Sequence, residues 1–254
     1  MRSWTHFAFA LSLATGCSFD LGLDGDQTPG EEGRSAWSLE DGLCPGLGGS
    51  CSFDVALAVG ATVGVRVEVP DRSVSDLLVT VEGPATLGAL VFDDERGLLR
   101  LDVSATGGGE VVLHLVDSDG EEIDRARFQT RTPARMECGV LAEGQAPSVA
   151  GDAITASHAA TLIAPRTATD DDDQVQLSCV VLDEAGEPLL SVRLVRWDVL
   201  DGLEAIHLRS EPFESDPPET THGARVWVDA VAVGTAQIEA RLGDSLESFT
   251  ITVG

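Results

Sequence analysis

The sequence contains no Lys, no Asn and no Tyr. All three use A/T-rich codons, so their joint absence points to a GC-rich genome of bacterial type. Without Asn there is no acceptor for N-glycosylation. Positive charge is scarce: 16 basic side chains, all Arg, face 43 acidic ones, for a net charge of −27. This balance argues against nucleic acid and anionic membrane surfaces as partners, because their phosphates would be repelled. No apolar run approaches the ~20 residues that a membrane-crossing helix requires. No long window carries apolar residues at helical spacing, and no G-x-S-x-G, H-E-x-x-H or phosphate-cradling Gly loop occurs. What remains is 254 residues, 43% hydrophobic, enough to bury a core as one large domain or two small ones.

Residues 1–16 read MRSWTHFAFALSLATG: one Arg near the start, an apolar stretch from Phe7 to Ala14, then small residues before Cys17. That is the layout of a secretory signal peptide, which takes no part in the fold. The run Leu13-Ala14-Thr15-Gly16-Cys17 resembles the lipobox of bacterial lipoproteins. The resemblance implies lipidation of the Cys17 thiol and cleavage before it. Ala14 stands where that family usually has Leu, and the small residues also suit cleavage after Gly16 by the general signal peptidase. Ser18, rather than Asp, follows the Cys, and in that family this implies delivery to the outer membrane. Loss of the leader leaves 15 Arg against 43 acids.

Residues 17–43 read as the lipidated Cys followed by a disordered acidic linker, with seven acids against one Arg and five Gly. Fully extended, such a linker spans about 90 Å. Trp37 is its one large apolar residue near the end and is expected to dock on the module that follows. From residue 52 the pattern changes to period two: Ala61, Val63, Val65, Val67 and Val69 alternate with Thr62, Gly64, Arg66 and Glu68. Further strands are expected at 76–82, 88–92, 97–103, 109–116 and 122–130, then at 136–142, 152–164, 174–183, 190–198, 203–209, 223–231, 235–242 and 246–253. Short strands at this spacing predict an all-β sandwich or barrel.

An internal repeat divides the chain. Offset by 127 residues, 99–118 lies on 226–245: Asp102 meets Asp229, Gly107 meets Gly234, Val111 meets Ile238, and Asp117-Ser118 meets Asp244-Ser245. Each copy reads as two alternating strands joined by a Gly-containing turn. Residues 44–132 and 133–254 are therefore expected to be two modules. The closing segment GARVWVDAVAVGTAQIEARLGDSLESFTITV resembles the last strands of bacterial Ig-like domains. Upstream, CVVLDEAGEPLLSVRLVRWDVLDG resembles their middle: a strand, an Asp-x-x-Gly turn from Asp183 to Gly186, and a strand ending at Trp197. The resemblance implies tandem Ig-like β-sandwiches of the kind that serve as stalks, spacers and adhesive surfaces.

Beyond Cys17, the exported chain carries Cys44, Cys51, Cys138 and Cys179, which allow three pairings. Cys44–Cys51 and Cys138–Cys179 keep each bridge inside one module. In the chain-entropy picture these contribute about 2.5 and about 4 kcal/mol. A metal site is the alternative, but the spacings match no zinc pattern. Of the His residues, His114 and His207 sit between apolar neighbours and so point outward, while His158 and His222 lie near strand or loop ends. Asp170, Asp171, Asp172 and Asp173 are a candidate calcium site, with Asp183 or Glu184 as helpers; a solvated loop is the plainer reading. DSDGEE at 117–122 reads as a hairpin turn. Arg193 and Arg196 flank Trp197, where cation–π packing is expected. The acidic, Pro-rich segment 210–223 reads as an exposed loop, where binding could arise.

The two resemblances together imply an outer-membrane lipoprotein that faces the periplasm or the exterior. It is expected to be held to the membrane by its lipid anchor, to need no cofactor unless calcium binds, and to serve a structural, adhesive or protein-interaction role toward a protein or surface-glycan partner. An accessory subunit of an envelope complex is the alternative, and an enzyme the third.

Overall fold

The computed structural model describes residues 27–40, 50–51, 53–70, 72–141, 155, 157–163, 174–191, 193–209 and 220–254. In chain order the first strands are β1 (Thr28–Pro29), β2 (Ala36–Glu40), β3 (Ser50–Cys51), β4 (Leu57–Ala58), β5 (Thr62–Glu68), β6 (Leu78–Glu82), β7 (Ala85–Asp93), β8 (Leu98–Ala105), β9 (Gly109–Val116) and β10 (Glu122–Arg131). They are followed by β11 (Arg135–Val140), β12 (Ala159–Leu162), β13 (Gln174–Leu182), β14 (Pro188–Leu189), β15 (Arg196–Asp201), β16 (Ile206–Arg209), β17 (Thr220–His222), β18 (Arg225–Ala230), β19 (Gly234–Leu242) and β20 (Ser245–Val253). The fold is all-β. The Val alternation in β5 buries Val63, Val65 and Val67 and leaves Thr62, Gly64, Arg66 and Glu68 half-buried, so one face of this strand looks into a core.

The strands form four sheets, in the orders β1-β2-β5-β8-β7 (with β3 also on β2), β4-β10-β9-β6, β11-β13-β18-β16 (with β14 on β13) and β12-β20-β19-β15-β17. The second pair repeats the first. Strands β2, β5, β8 and β7 match β11, β13, β18 and β16. Strands β4, β10, β9 and β6 match β12, β20, β19 and β15. In each module a short strand lies parallel to the last one, β4 on β10 and β12 on β20, while the other ladders run antiparallel. β2 and β11 thus lie in one sheet of their module and the short β4 and β12 in the other, and the resulting strand order is Ig-like.

The 127-residue repeat holds, but its two strands are not a hairpin. β8 belongs to one sheet and β9 to the other, and likewise β18 and β19. The Gly-containing turns carry the chain across the sandwich. The equivalence extends to the last strands, where Phe128 faces Val111 and Phe249 faces Ile238.

Residues 17–43 are not linker throughout. β2 is a strand of the first sandwich, paired along its length with β5, and Trp37 and Leu39 are fully buried. Trp37 packs edge-on against Phe53 with ring centres 6.2 Å apart, and Phe53 against Phe128 at 5.3 Å. Burying side chains of this size stabilises by about 1.5–3 kcal/mol each. The expected strand 152–164 is described as a strand only at Ala159–Leu162. The strand expected to end at Trp197 instead begins one residue before it. Before this strand, the Leu194 N–H donates to Ser191 O at 3.1 Å and Arg193 adopts φ 61°, and β14 and β15 on either side belong to different sheets.

Candidate functional site

Three described features gather polar side chains: an N-terminal latch, the junction between the modules, and the ion pairs on the sheet faces. Each includes a carboxylate.

Asp124, near the start of β10 and fully buried, holds the latch. It accepts hydrogen bonds from the backbone N–H of Glu32 (2.9 Å), Arg34 (2.8 Å) and Arg125 (2.8 Å), and from the Ser35 hydroxyl (2.8 Å). Ser35 Oγ in turn accepts from the Trp37 indole at 2.7 Å. Such charge-assisted bonds are the strong class. Gly30 lies against this carboxylate, and a Cβ there would overlap it. Glu31, beside the latch, pairs with Arg125 at 2.5 Å and with Arg127. The bond from Arg127, reinforced by Arg125, holds the Glu31 carboxyl below its ordinary value.

At the junction, the first module's last strand ends at Arg131 and the second module's first begins at Arg135. Leu190 adds itself to the free edge of β4. Its N–H donates to Ala56 O at 2.9 Å, and its carbonyl accepts from Ala58 N–H at 2.9 Å. Leu57 and Leu190 are fully buried. Gly60, at φ 91°, brings the backbone so near Leu194 that a Cβ would stand 3.3 Å from its Cδ2. Across the same seam Arg131 donates to Asp183 at 2.9 Å. Asp183 also accepts the N–H groups of Ala185 and Glu187, each at 2.9 Å, closing the Asp-x-x-Gly turn. The Glu187 N–H, then the Arg131 guanidinium, hold the Asp183 carboxyl below its ordinary value against the opposing effect of burial. Asp183, a candidate calcium helper, is thus committed to a turn and an inter-module ion pair.

The bridge Cys138–Cys179 is present and joins directly opposed residues of β11 and β13, with Cα atoms 4.0 Å apart. Cys17, Cys44 and Asp170–Asp173 lie outside the described residues, and of Cys51 only the backbone, in β3, is described. Most of the expected loop 210–223 also lies outside. Among the described residues no group of three His, Cys, Asp or Glu side chains is placed to hold a metal ion. His114 looks outward between Glu122 (2.5 Å) and Glu82 (3.7 Å), and His158 meets Glu247 at 3.0 Å beside the Phe249 ring. His207 lies opposite Asp229, and His222 opposite Arg196. DSDGEE is a hairpin turn, with Asp117 accepting the N–H groups of Asp119 and Glu121. Arg196 pairs with Asp198 at 2.8 Å. The Trp197 indole donates to Gly223 O at 2.8 Å and packs on Phe249 with ring centres 5.8 Å apart.

No protein-family model matches the chain, and no curated protein does. Among solved structures, domains 5–6 of the S-layer protein SbsC align at 14% identity and TM-score 0.32, over 80% of this chain and 93% of that one. The Escherichia coli adhesin FdeC aligns at 13% and 0.31, over 91% of this chain and 65% of that one. The D0-D1 domain of intimin aligns at 14% and 0.28, over 78% and 93%. Likeness at this level leaves the Ig-like reading resting on the strand order itself.

Trp37 docks on the first module as expected, while the Asp124 anchor of the latch and the junction leave little trace in the sequence. The spacing Trp37-x-Leu39 and the apolar pair Leu189-Leu190 after a turn were their visible traces.

Proposed function

We propose that the chain is an envelope lipoprotein, anchored at Cys17 to the outer membrane, whose two Ig-like modules act as a non-enzymatic structural or adhesive arm. The observation that carries this reading is the junction. Leu190 extends the β4 edge, and with the Arg131–Asp183 pair it fixes one module on the other, as a spacer or display arm requires. The latch adds to it. With residues 27–40 folded onto the first module, only 18–26 separate Cys17 from the docked segment. That length reaches at most about 30–35 Å, not the 90 Å of an unfolded linker. Two acyl chains would hold such a protein stably, where one binds only reversibly.

Crosslinking in intact outer membranes followed by purification tests the role. A dispersed or variable set of neighbours supports the adhesive or structural reading. One stoichiometric companion that co-purifies throughout would favour an accessory subunit instead. Turnover of an envelope substrate, lost with a single His or Ser substitution that leaves the fold intact, would overturn the reading.

A further inference from the structure

Large apolar side chains are exposed at one end of the second module. Leu200 at the end of β15, Leu203 in the β15–β16 turn, Val231 and Val233 in the β18–β19 turn, and Ile163 just past β12 are all exposed, Val233 at 73%. Backbone bonds hold these segments together. Val231 N–H donates to Ala205 O at 2.8 Å, Gly254 N–H donates to Leu162 O at 3.0 Å, and Gly234 pairs with Val253. This end lies opposite the one that receives the first module, because the seam uses Asp183, Leu190 and Leu194 at the other ends of the strands.

The sandwich does not require these residues. The equivalent turns of the first module are Gly83-Pro84 and Thr106-Gly107-Gly108, with no large apolar side chain. Residues 199–205 and 230–235 contain no Arg or His, and their only charges are Asp201 and Glu204. Asp201 Oδ1 accepts Gly202 N–H at 2.9 Å. Clustered exposed apolar side chains mark interaction sites.

We propose that this apolar end is a docking surface for a protein whose complementary face is apolar at its centre and carries Arg or Lys around it. Charge selects the occupant. A second processed copy would bring another 43 acids against 15 Arg to the contact, and anionic lipid would likewise be repelled. A cationic rim meets Asp201, Glu204 and the negative field of the whole chain, while the apolar centre covers Leu203, Val231 and Val233. Charge complementarity of this kind governs encounter and choice of partner.

The proposal deepens the protein-interaction side of the proposed arm and rests on that reading: the occupant is a partner that dissociates as salt rises, not a subunit that co-purifies throughout. The two fail separately, since anchoring is read from the membrane fraction and docking from this end of the molecule. The test is a photo-crosslinking residue placed at Val233 in the full chain, in its own envelope, with the same residue at exposed Val91 of the first module as control. The expected result is a single protein adduct at 233 and none at 91. The purified adduct protein should then bind the purified full chain, about tenfold or more weaker with Val231→Asp and Val233→Asp together, and weaker again as salt is raised from low to physiological strength. The melting temperature of the doubly substituted chain should match the parent, because both positions are exposed. No adduct at 233, equal adducts at both positions, an adduct with a second copy or with lipid, or binding indifferent to salt would each overturn the proposal.

Discussion

Asp124 shows how one buried carboxylate can decide where a fold begins. Its oxygens accept four hydrogen bonds, three of them from the segment 32–35, so they hold a loop that has little apolar surface of its own. Asp124→Ala leaves two backbone N–H groups and a hydroxyl of that segment unpaired beside Trp37. It should cost about 3 kcal/mol in denaturant unfolding, with amide exchange rising first in residues 31–40. Acid should act at three other carboxylates. Glu31, Asp94 and Asp183 all lie below their ordinary values of 4.5, 3.8 and 3.8. For Asp94, the N–H groups of Ser75 and Val74 outweigh the upward push of burial. A depressed carboxyl stabilises the folded state fully above its ordinary value, and that stabilisation fades as pH falls below it. The melting temperature should therefore hold from neutral pH down to about pH 5 and fall below about pH 4. Asp183→Asn should flatten part of that fall. Replacing Cys138 and Cys179 by Ala should lower stability by about 2–5 kcal/mol.

Among the elements, β14 and its extension at Leu190 matter beyond their length. Two hydrogen bonds and one buried leucine join sheets of different modules. Leu190→Pro removes the N–H that donates to Ala56 and should loosen the seam, seen as a larger radius of gyration in small-angle scattering. Leu190→Ala keeps the backbone and should cost about 2–5 kcal/mol. Elements that alternate over seven or more residues were legible in the sequence: β5, β8, β9, β10, β19 and β20 lie within a residue or two of expectation. The missed elements were short or did not alternate. β2 buries Ala36, Trp37, Ser38 and Leu39 in succession, because both its faces are covered, and it sits among acids and glycines that read as linker. The β8–β9 connection was legible as a turn but not as a change of sheet. Alternation places a side chain inward or outward, and it does not say which strand lies alongside. The latch was hidden for a similar reason: Asp124 lies 90 residues from Arg34, and local pattern does not report such pairings.

For the whole molecule, the latch and the seam turn a chain that reads as a long tether with two beads into a short leader followed by two joined sandwiches. Anchoring at Cys17 would then hold the first module within about 35 Å of the membrane and direct the apolar end of the second module away from the latch. Fractionation of cells producing the wild-type chain and Cys17→Ser tests the anchoring on which this account depends. The account predicts wild-type protein in the outer-membrane fraction and the folded variant in the soluble fraction, with Cys138–Cys179 oxidised in both. A Cys17→Ser protein that stays with the membrane, or a wild-type protein that is soluble, would contradict it.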